Sequence, residues 1–259
     1  MASRKVQGAL NRKPKPQRRI VLLVVATNRY FRLIEPLLLS ADRHFLPSHD
    51  YEVLLFTNQD QSRECQDLVE RRRGLRRGRI RVRRIEHQPW PMMTLLRYRF
   101  FTQAAADIAE FDYAFYADCD MRFVADVGNE ILGAGLTAVR HCGFEGKRRE
   151  AFTFESRSAS LAYIAAGKGE RYYAGGFQGG AASAFLEAAA GCSRRIDADL
   201  DKDIVAIWHD ESHWNALLAE RPAGLVVLDP GYCMAEKTCS PFPSMILALD
   251  KDHSVMRAE

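Results

Sequence analysis

Nowhere among its 259 residues does this chain hold a C-x-x-C pair, and its six cysteines (65, 119, 142, 192, 233, 239) stand far apart. That spacing argues against a zinc ribbon or a disulfide framework and predicts free thiols. Long apolar runs are also missing. The most apolar stretch, "VLLVVA" (21–26), stops at six residues, far short of a membrane span. The N-terminus lacks the charged start, apolar middle and cleavage site of a secretory signal. These features lead us to expect a cytoplasmic protein, at most peripheral to the inner membrane face. There is no internal repeat, no linker between domains, no strand–G-x-G-x-x-G–helix dinucleotide motif and no P-loop. Acids are missing from residues 1–19, which carry seven Lys/Arg and read as a disordered basic tail. The other 240 residues hold 30 Lys/Arg against 33 Asp/Glu, a charge of −3.

A second basic run, "RRRGLRRGRIRVRR" (71–84), contains nine arginines. Arginines neutralise phosphates, so nucleic-acid binding has a mechanism. Glycines at 74 and 78 instead suggest a helix end, a turn and an edge strand with a solvated basic surface. That surface leaves room for weak attraction to an anionic membrane but does not call for a nucleic-acid partner.

What is present is an α/β pattern. Strands are predicted over 20–26, 51–58, Arg79–Ile85 and "YAFYADCD" (113–120). A helical pattern over 30–45, kinked or restarted at Pro36, lies between the first two, and "TLLRYRFFTQAAADIAEF" (94–111) reads as one long helix. A short helix is expected over 183–191 and an amphipathic one over 211–220. Alternating strands and helices imply a mostly parallel, Rossmann-like sheet flanked by helices. Ligands gather beyond the carboxyl ends of such strands, where Thr27–Asn28, Thr57–Asn58 and Asp118–Asp120 would share a rim.

Asp118 and Asp120 form a D-x-D at a strand end. Hard oxygens so placed suit a divalent cation bridging phosphates, though the spacing alone also fits a capped loop. Cys119 between them could offer a soft ligand, but strand alternation points it the other way. "WHDESHWN" (208–215) crowds His209, Asp210, Glu211 and His213 beside two tryptophans. Acids at a helix start complement its dipole, whereas Trp208 suits stacking on a sugar face. "YYAGGFQGG" (172–180) supplies glycines that let a backbone approach a ligand closely.

Together, "DCDMRF", "REAFTFESR", "YYAGGFQGG", "WHDESHWN" and "KDHSVMR" (251–257) resemble glycosyltransferase family 6 in order and spacing, over about residues 20–257. The short form resembles bacterial members. The resemblance implies a GT-A fold, a single catalytic domain over 20–259 and a C-terminus that closes over the donor. Residues 20–125 would form its nucleotide-binding half and 126–259 its donor-sugar and acceptor half. It implies retaining transfer of N-acetylgalactosamine or galactose from UDP to the 3-hydroxyl of a β-galactoside such as lactose or a fucosyllactose. Donor-side residues would be Ala26, Thr27, Tyr30, Arg97, Asp118, Cys119, Asp120, Ala174, Gly175, Gly176, Asp210, Lys251 and Arg257. His141, Thr153, Trp208 and Glu211 would face the acceptor, with Glu211 as nucleophile or transition-state stabiliser. Many bacterial relatives have asparagines at the metal positions. This chain keeps Asp118 and Asp120, which predicts dependence on Mn²⁺, with Mg²⁺ as the alternative. Met234 and Ala235 depart from the blood-group enzymes' acceptor contact. Small residues at 174 and 176 favour UDP-GalNAc over UDP-Gal. Two rivals remain: a D-x-D phosphatase, disfavoured by Arg122 where Thr or Val is expected, and a carbohydrate- or nucleic-acid-binding protein.

Overall fold

The computed structural model describes residues 17–220, 222–238 and 240–257, so the tail over 1–16 and Cys239 lie outside the described residues. β1 (Ile20–Val25) leads through a 3₁₀ turn (Asn28–Leu33) into α1 (Ile34–His44), followed by β2 (Tyr51–Thr57), α2 (Arg63–Arg71) and β3 (Arg77–Arg84). Three short helices come next, α3 (Met92–Leu95), α4 (Arg97–Gln103) and α5 (Ala105–Ile108), and then β4 (Tyr113–Ala117), β5 (Met121–Phe123) and β6 (Leu136–Arg140). β7 (Tyr173–Ala181), α6 (Ala182–Leu200), α7 (His209–Leu218), β8 (Val226–Leu228), β9 (Met234–Ala235), β10 (Ile246–Ala248) and α8 (His253–Arg257) complete the order.

A seven-stranded sheet runs β3-β2-β1-β4-β7-β6-β8, beside a three-stranded sheet β5-β10-β9. β1 pairs in parallel with β2 and β4, and β2 with β3, so their carboxyl ends form one rim. β7 is antiparallel to both neighbours. β1 is buried on both faces: Ile20, Leu22 and Val24 join the core under α1, Val21 and Leu23 the core under α4 and α6. Each fully buried Leu, Ile or Val contributes about 1.5–3 kcal/mol, which anchors the rim. Pro36 sits in the first turn of α1, where a missing N–H costs nothing.

Three sequence expectations need correction. The single helix over 94–111 is broken at Leu96 and Ala104, whose ψ angles are 5° and 19°. The Arg97 side chain turns back onto the Thr94 carbonyl at 3.2 Å and on to the rim, so a tertiary ion pair overrides helix propensity. α7 is not amphipathic. It starts at His209 and buries Asp210, Ser212, His213, Trp214, Asn215, Ala216 and Leu218 around its circumference. The helix expected over 183–191 extends across Ala182–Leu200, because Phe185, Ala188, Ala189, Cys192 and Ile196 keep its apolar stripe going.

The arginine run folds as helix end, turn and edge strand, but it is not a free basic face. Arg71 pairs with Glu35, Arg72 with Asp42, Arg73 with Glu70, Arg76 with Asp50 and Arg79 with Glu52. Arg81 bridges Glu52 and Glu110, while Arg83 and Arg84 pair with Asp107 and Asp60. Arg77 caps α1 through the carbonyls of Leu46 (3.0 Å) and Phe45 (2.8 Å). All nine guanidiniums are therefore engaged within the fold. Among the described residues no helix is long and apolar enough to cross a membrane. The five described cysteines are free.

Candidate active site

The largest groove, about 900 Å³, lies at the amino ends of β1–β3 among the paired arginines. The chemistry lies at the opposite rim. There a smaller pocket of about 170 Å³ is lined by Ala26, Thr27, Tyr30, Arg97, Asp118, Cys119, Asp120, Lys251 and Arg257, with Trp90, Tyr116 and His253. The turns after β1 and β2 are tied together, Asn28 N donating to Asn58 Oδ1 at 3.0 Å and Asn58 Nδ2 to Asn28 Oδ1 at 2.6 Å. Asn28 takes a left-handed φ of 48° at this turn.

Arg97 is the hub. Its guanidinium, 5% exposed, reaches Asp118 Oδ1 at 3.2 Å and Asp210 Oδ2 at 3.1 Å, donates to Gly175 O at 3.3 Å and stacks 4.4 Å over the Tyr116 ring. It joins the D-x-D loop, the β7 glycines and the start of α7. The Tyr116 hydroxyl also donates to Asp118 Oδ1, and Lys251 forms an ion pair with Asp120 Oδ2. Cys119 lies buried beside them, its thiol pushed up to about 12 by burial first.

Opposite β6, Gly175–Phe177 bulge from β7, because Ala138 pairs with Gln178 while Val139 pairs with Ala174. The bulge turns Gly175 N toward Glu211, donating to Oε2 at 2.7 Å, while the Tyr172 hydroxyl donates to Oε1 at 3.0 Å. Asn215 fixes the pair further: its Nδ2 donates to Tyr173 O (2.8 Å) and Glu211 O (2.9 Å), and its Oδ1 accepts from Tyr173 N (2.9 Å). His209, at a left-handed φ of 51°, makes the turn that admits Asp210 and Glu211. Such strain, of order 1–3 kcal/mol, collects at functional sites. Desolvation pushes both carboxyls up to about 7, against the pull of Arg97 on Asp210 and of the Gly175 N–H on Glu211.

The acceptor-side residues border Glu211. Trp208, 47% exposed, donates from Nε1 to Thr153 Oγ1 at 2.7 Å, and His141 stands edge-on to Tyr172 at 5.6 Å. The pocket wall also contains Trp90, which sequence reasoning passed over. Its ring meets His209 at 5.1 Å and carries the Arg257 guanidinium at 4.2 Å. Tyr116 and Asn215 were likewise not singled out as site residues. Their places inside "FYADCD" and "WHDESHWN" were the available signal.

The metal position can be tested on the donor set. No group of three or more His, Cys, Asp or Glu that could hold a metal ion occurs among the described residues. The two carboxylates are hard donors, and Asp118 Oδ2 and Asp120 Oδ1 accept no hydrogen bond among the described residues. Two carboxylates fit a cation whose remaining positions are filled by phosphate oxygens and water.

A glycosyltransferase family 6 model matches residues 9–258. This chain belongs to glycosyltransferase family 6. Its α/β architecture is the family's GT-A type, and it is an enzyme of sugar transfer that uses a nucleotide-sugar donor and a glycan acceptor. It is 32% identical over 246 residues to histo-blood group ABO system transferase 1 of Rattus norvegicus, spanning 92% of this chain and 68% of that one. Identity to the Homo sapiens globoside alpha-1,3-N-acetylgalactosaminyltransferase 1 is 31%, with the same two shares. A bacterial relative, the O-antigen biosynthesis glycosyltransferase WbnI of Escherichia coli, is 25% identical over 197 residues, 76% of this chain and 80% of that one.

Proposed function

We propose that this family 6 enzyme is a retaining α-1,3-N-acetylgalactosaminyltransferase that uses UDP-GalNAc and a β-galactoside acceptor. The carrying observation is the Arg97 hub, which joins Asp118 to Asp210 and the Gly175 carbonyl; in this reading Asp118 serves the diphosphate and Asp210 with Gly175 the sugar. The chain's resemblance to globoside alpha-1,3-N-acetylgalactosaminyltransferases supports the donor and the linkage. Small side chains at Ala174 and Gly176 are the sequence argument for GalNAc; in the fold Ala174 is buried and Gly176 packs against Met121 and Asp118. UDP-Gal is the second reading, favoured by 27% identity to the Homo sapiens alpha-1,3-galactosyltransferase 2.

Asp118 and Asp120 would hold Mn²⁺, or Mg²⁺, and the bound cation would neutralise charge developing on the leaving diphosphate. Lys251 and Arg257 add cations from the C-terminal segment. Asp210 orients the donor sugar. Glu211 either attacks the anomeric carbon in a double displacement or stabilises an oxocarbenium-like ion pair for same-face transfer. Trp208, Thr153 and His141 seat the acceptor galactose.

The test is UDP release from UDP-GalNAc and from UDP-Gal with lactose and with 2′-fucosyllactose, before and after EDTA. A higher kcat/KM for UDP-GalNAc and loss of turnover on chelation are expected. A clear preference for UDP-Gal reverses the donor assignment, and full turnover in EDTA removes the metal.

A further inference from the structure

Glu211 is not held by its own helix alone. Tyr172, 3% exposed, lies at the centre of an aromatic cluster contributed largely by the segment over 141–154. Its ring stacks on Phe154 at 5.1 Å, tilts against Phe144 at 4.4 Å, and meets His141 and Phe152 edge-on. His141 N donates to the Tyr172 carbonyl at 2.9 Å. This packing leaves the hydroxyl one direction, toward Glu211 Oε1 at 3.0 Å. Beside this cluster, Thr153 Oγ1 accepts from Trp208 Nε1 at 2.7 Å.

We propose that Tyr172 is the positioning residue for Glu211: the aromatic cluster fixes its ring, and its hydroxyl holds Glu211 Oε1 opposite the Gly175 N–H on Oε2. The proposal rests on the reading of Glu211 as the carboxylate facing the donor sugar.

The Tyr172–Glu211 contact carries a sign. Glu211 is raised to about 7 by desolvation, and the Gly175 N–H, the Tyr172 hydroxyl and Arg97 oppose that rise, while Asp118 adds to it. Asp210 and the buried Cys233 thiol also lie near it. Tyr172→Phe keeps the ring in its cluster and removes one of the opposing donors, so Glu211 ionises at higher pH.

We expect the acidic limb of kcat for Tyr172→Phe to move up by about one pH unit. On that shift, kcat falls about five-fold at pH 7 and returns to within about two-fold at pH 9, with acceptor KM unchanged. Recovery at high pH is a readout that mere loss of packing would not give. An acidic limb of Tyr172→Phe identical to the parent enzyme's overturns the proposal. Glu211→Gln measured alongside separates the two levels. Full activity there overturns the Glu211 reading together with the proposal, whereas loss there with an unmoved Tyr172→Phe profile overturns the positioning role alone.

Discussion

A Cβ placed on Gly176 would stand 2.4 Å from Met121 Cε, 3.0 Å from Asp118 Oδ2 and 3.2 Å from Cys233 Sγ. The methionine end is flexible and can yield, but Asp118 is held by Arg97 and the Tyr116 hydroxyl. Gly176→Ala therefore acts on the diphosphate side as well as on donor-sugar space. Overpacking of this kind costs about 1–3 kcal/mol, so a loss of roughly ten-fold in kcat/KM for UDP-GalNAc is expected, with a smaller loss for UDP-Gal. Adding Met121→Ala should restore part of both by giving the methyl somewhere to go. If the second substitution changes nothing, the effect of residue 176 is confined to the sugar. The motif "YYAGGFQGG" announced close approach, but Met121 and Cys233 as the neighbours approached could not be read, since they lie 55 and 57 positions away along the chain.

At the scale of elements, patterning and turn residues carried most of the fold. β1, β2 and β3 fall within two residues of their expected ends, because apolar runs closed by a polar rim leave little choice. α1 instead starts at Ile34 behind a 3₁₀ turn, β4 stops at Ala117 before the D-x-D, and β5–β10 were not delimited from the sequence. The breaks in the 94–108 helices and the all-round burial of α7 answer to ion pairs and partners elsewhere in the sequence, which no local period encodes. The arginine run makes the same point with a measurable consequence. Arg72, with its side chain 7% exposed, forms a bidentate pair with Asp42 and donates to Gly78 O at 3.2 Å, whereas the Arg73 side chain is 76% exposed beside Glu70. Arg72→Ala strands a partly buried carboxylate and a carbonyl, which should cost about 2–3 kcal/mol and lower the thermal midpoint by roughly 5–10 °C. Arg73→Ala should stay within about 0.5 kcal/mol of the parent. Equal midpoints for the two variants in thermal unfolding would return the run to a solvated surface.

For the whole molecule, the question is how a nucleotide sugar enters. The C-terminal segment returns across the rim: β10 pairs with β5 and β9, Leu249 N donates to Asp120 O at 3.0 Å, and Arg29 donates to Val255 O at 2.7 Å. With Lys251 on Asp120 and Arg257 over Trp90, the pocket beneath is about 170 Å³, below the ~300–1,000 Å³ usual for ligand sites. We expect this segment to open for the donor to bind, and its reclosure to bring the two cations onto the diphosphate. No period or composition marks residues 251–257 as part of the site; the family resemblance alone pointed there. By contrast, Thr27, Asn58 and Asp118 could be placed on one rim from strand order alone. A chain ending at residue 250 keeps β10 and should unfold within about 5 °C of the parent, since beyond surface contacts it loses the Lys251–Asp120 pair, whose carboxylate water then reaches. It also loses two charge-assisted contacts to phosphate, each worth about 1.5–3 kcal/mol, so UDP affinity by calorimetry should fall about 100-fold or more. Lys251→Ala and Arg257→Ala should each fall part of the way. Parent-like UDP binding by the shortened chain would show that the segment covers the pocket without gripping the diphosphate.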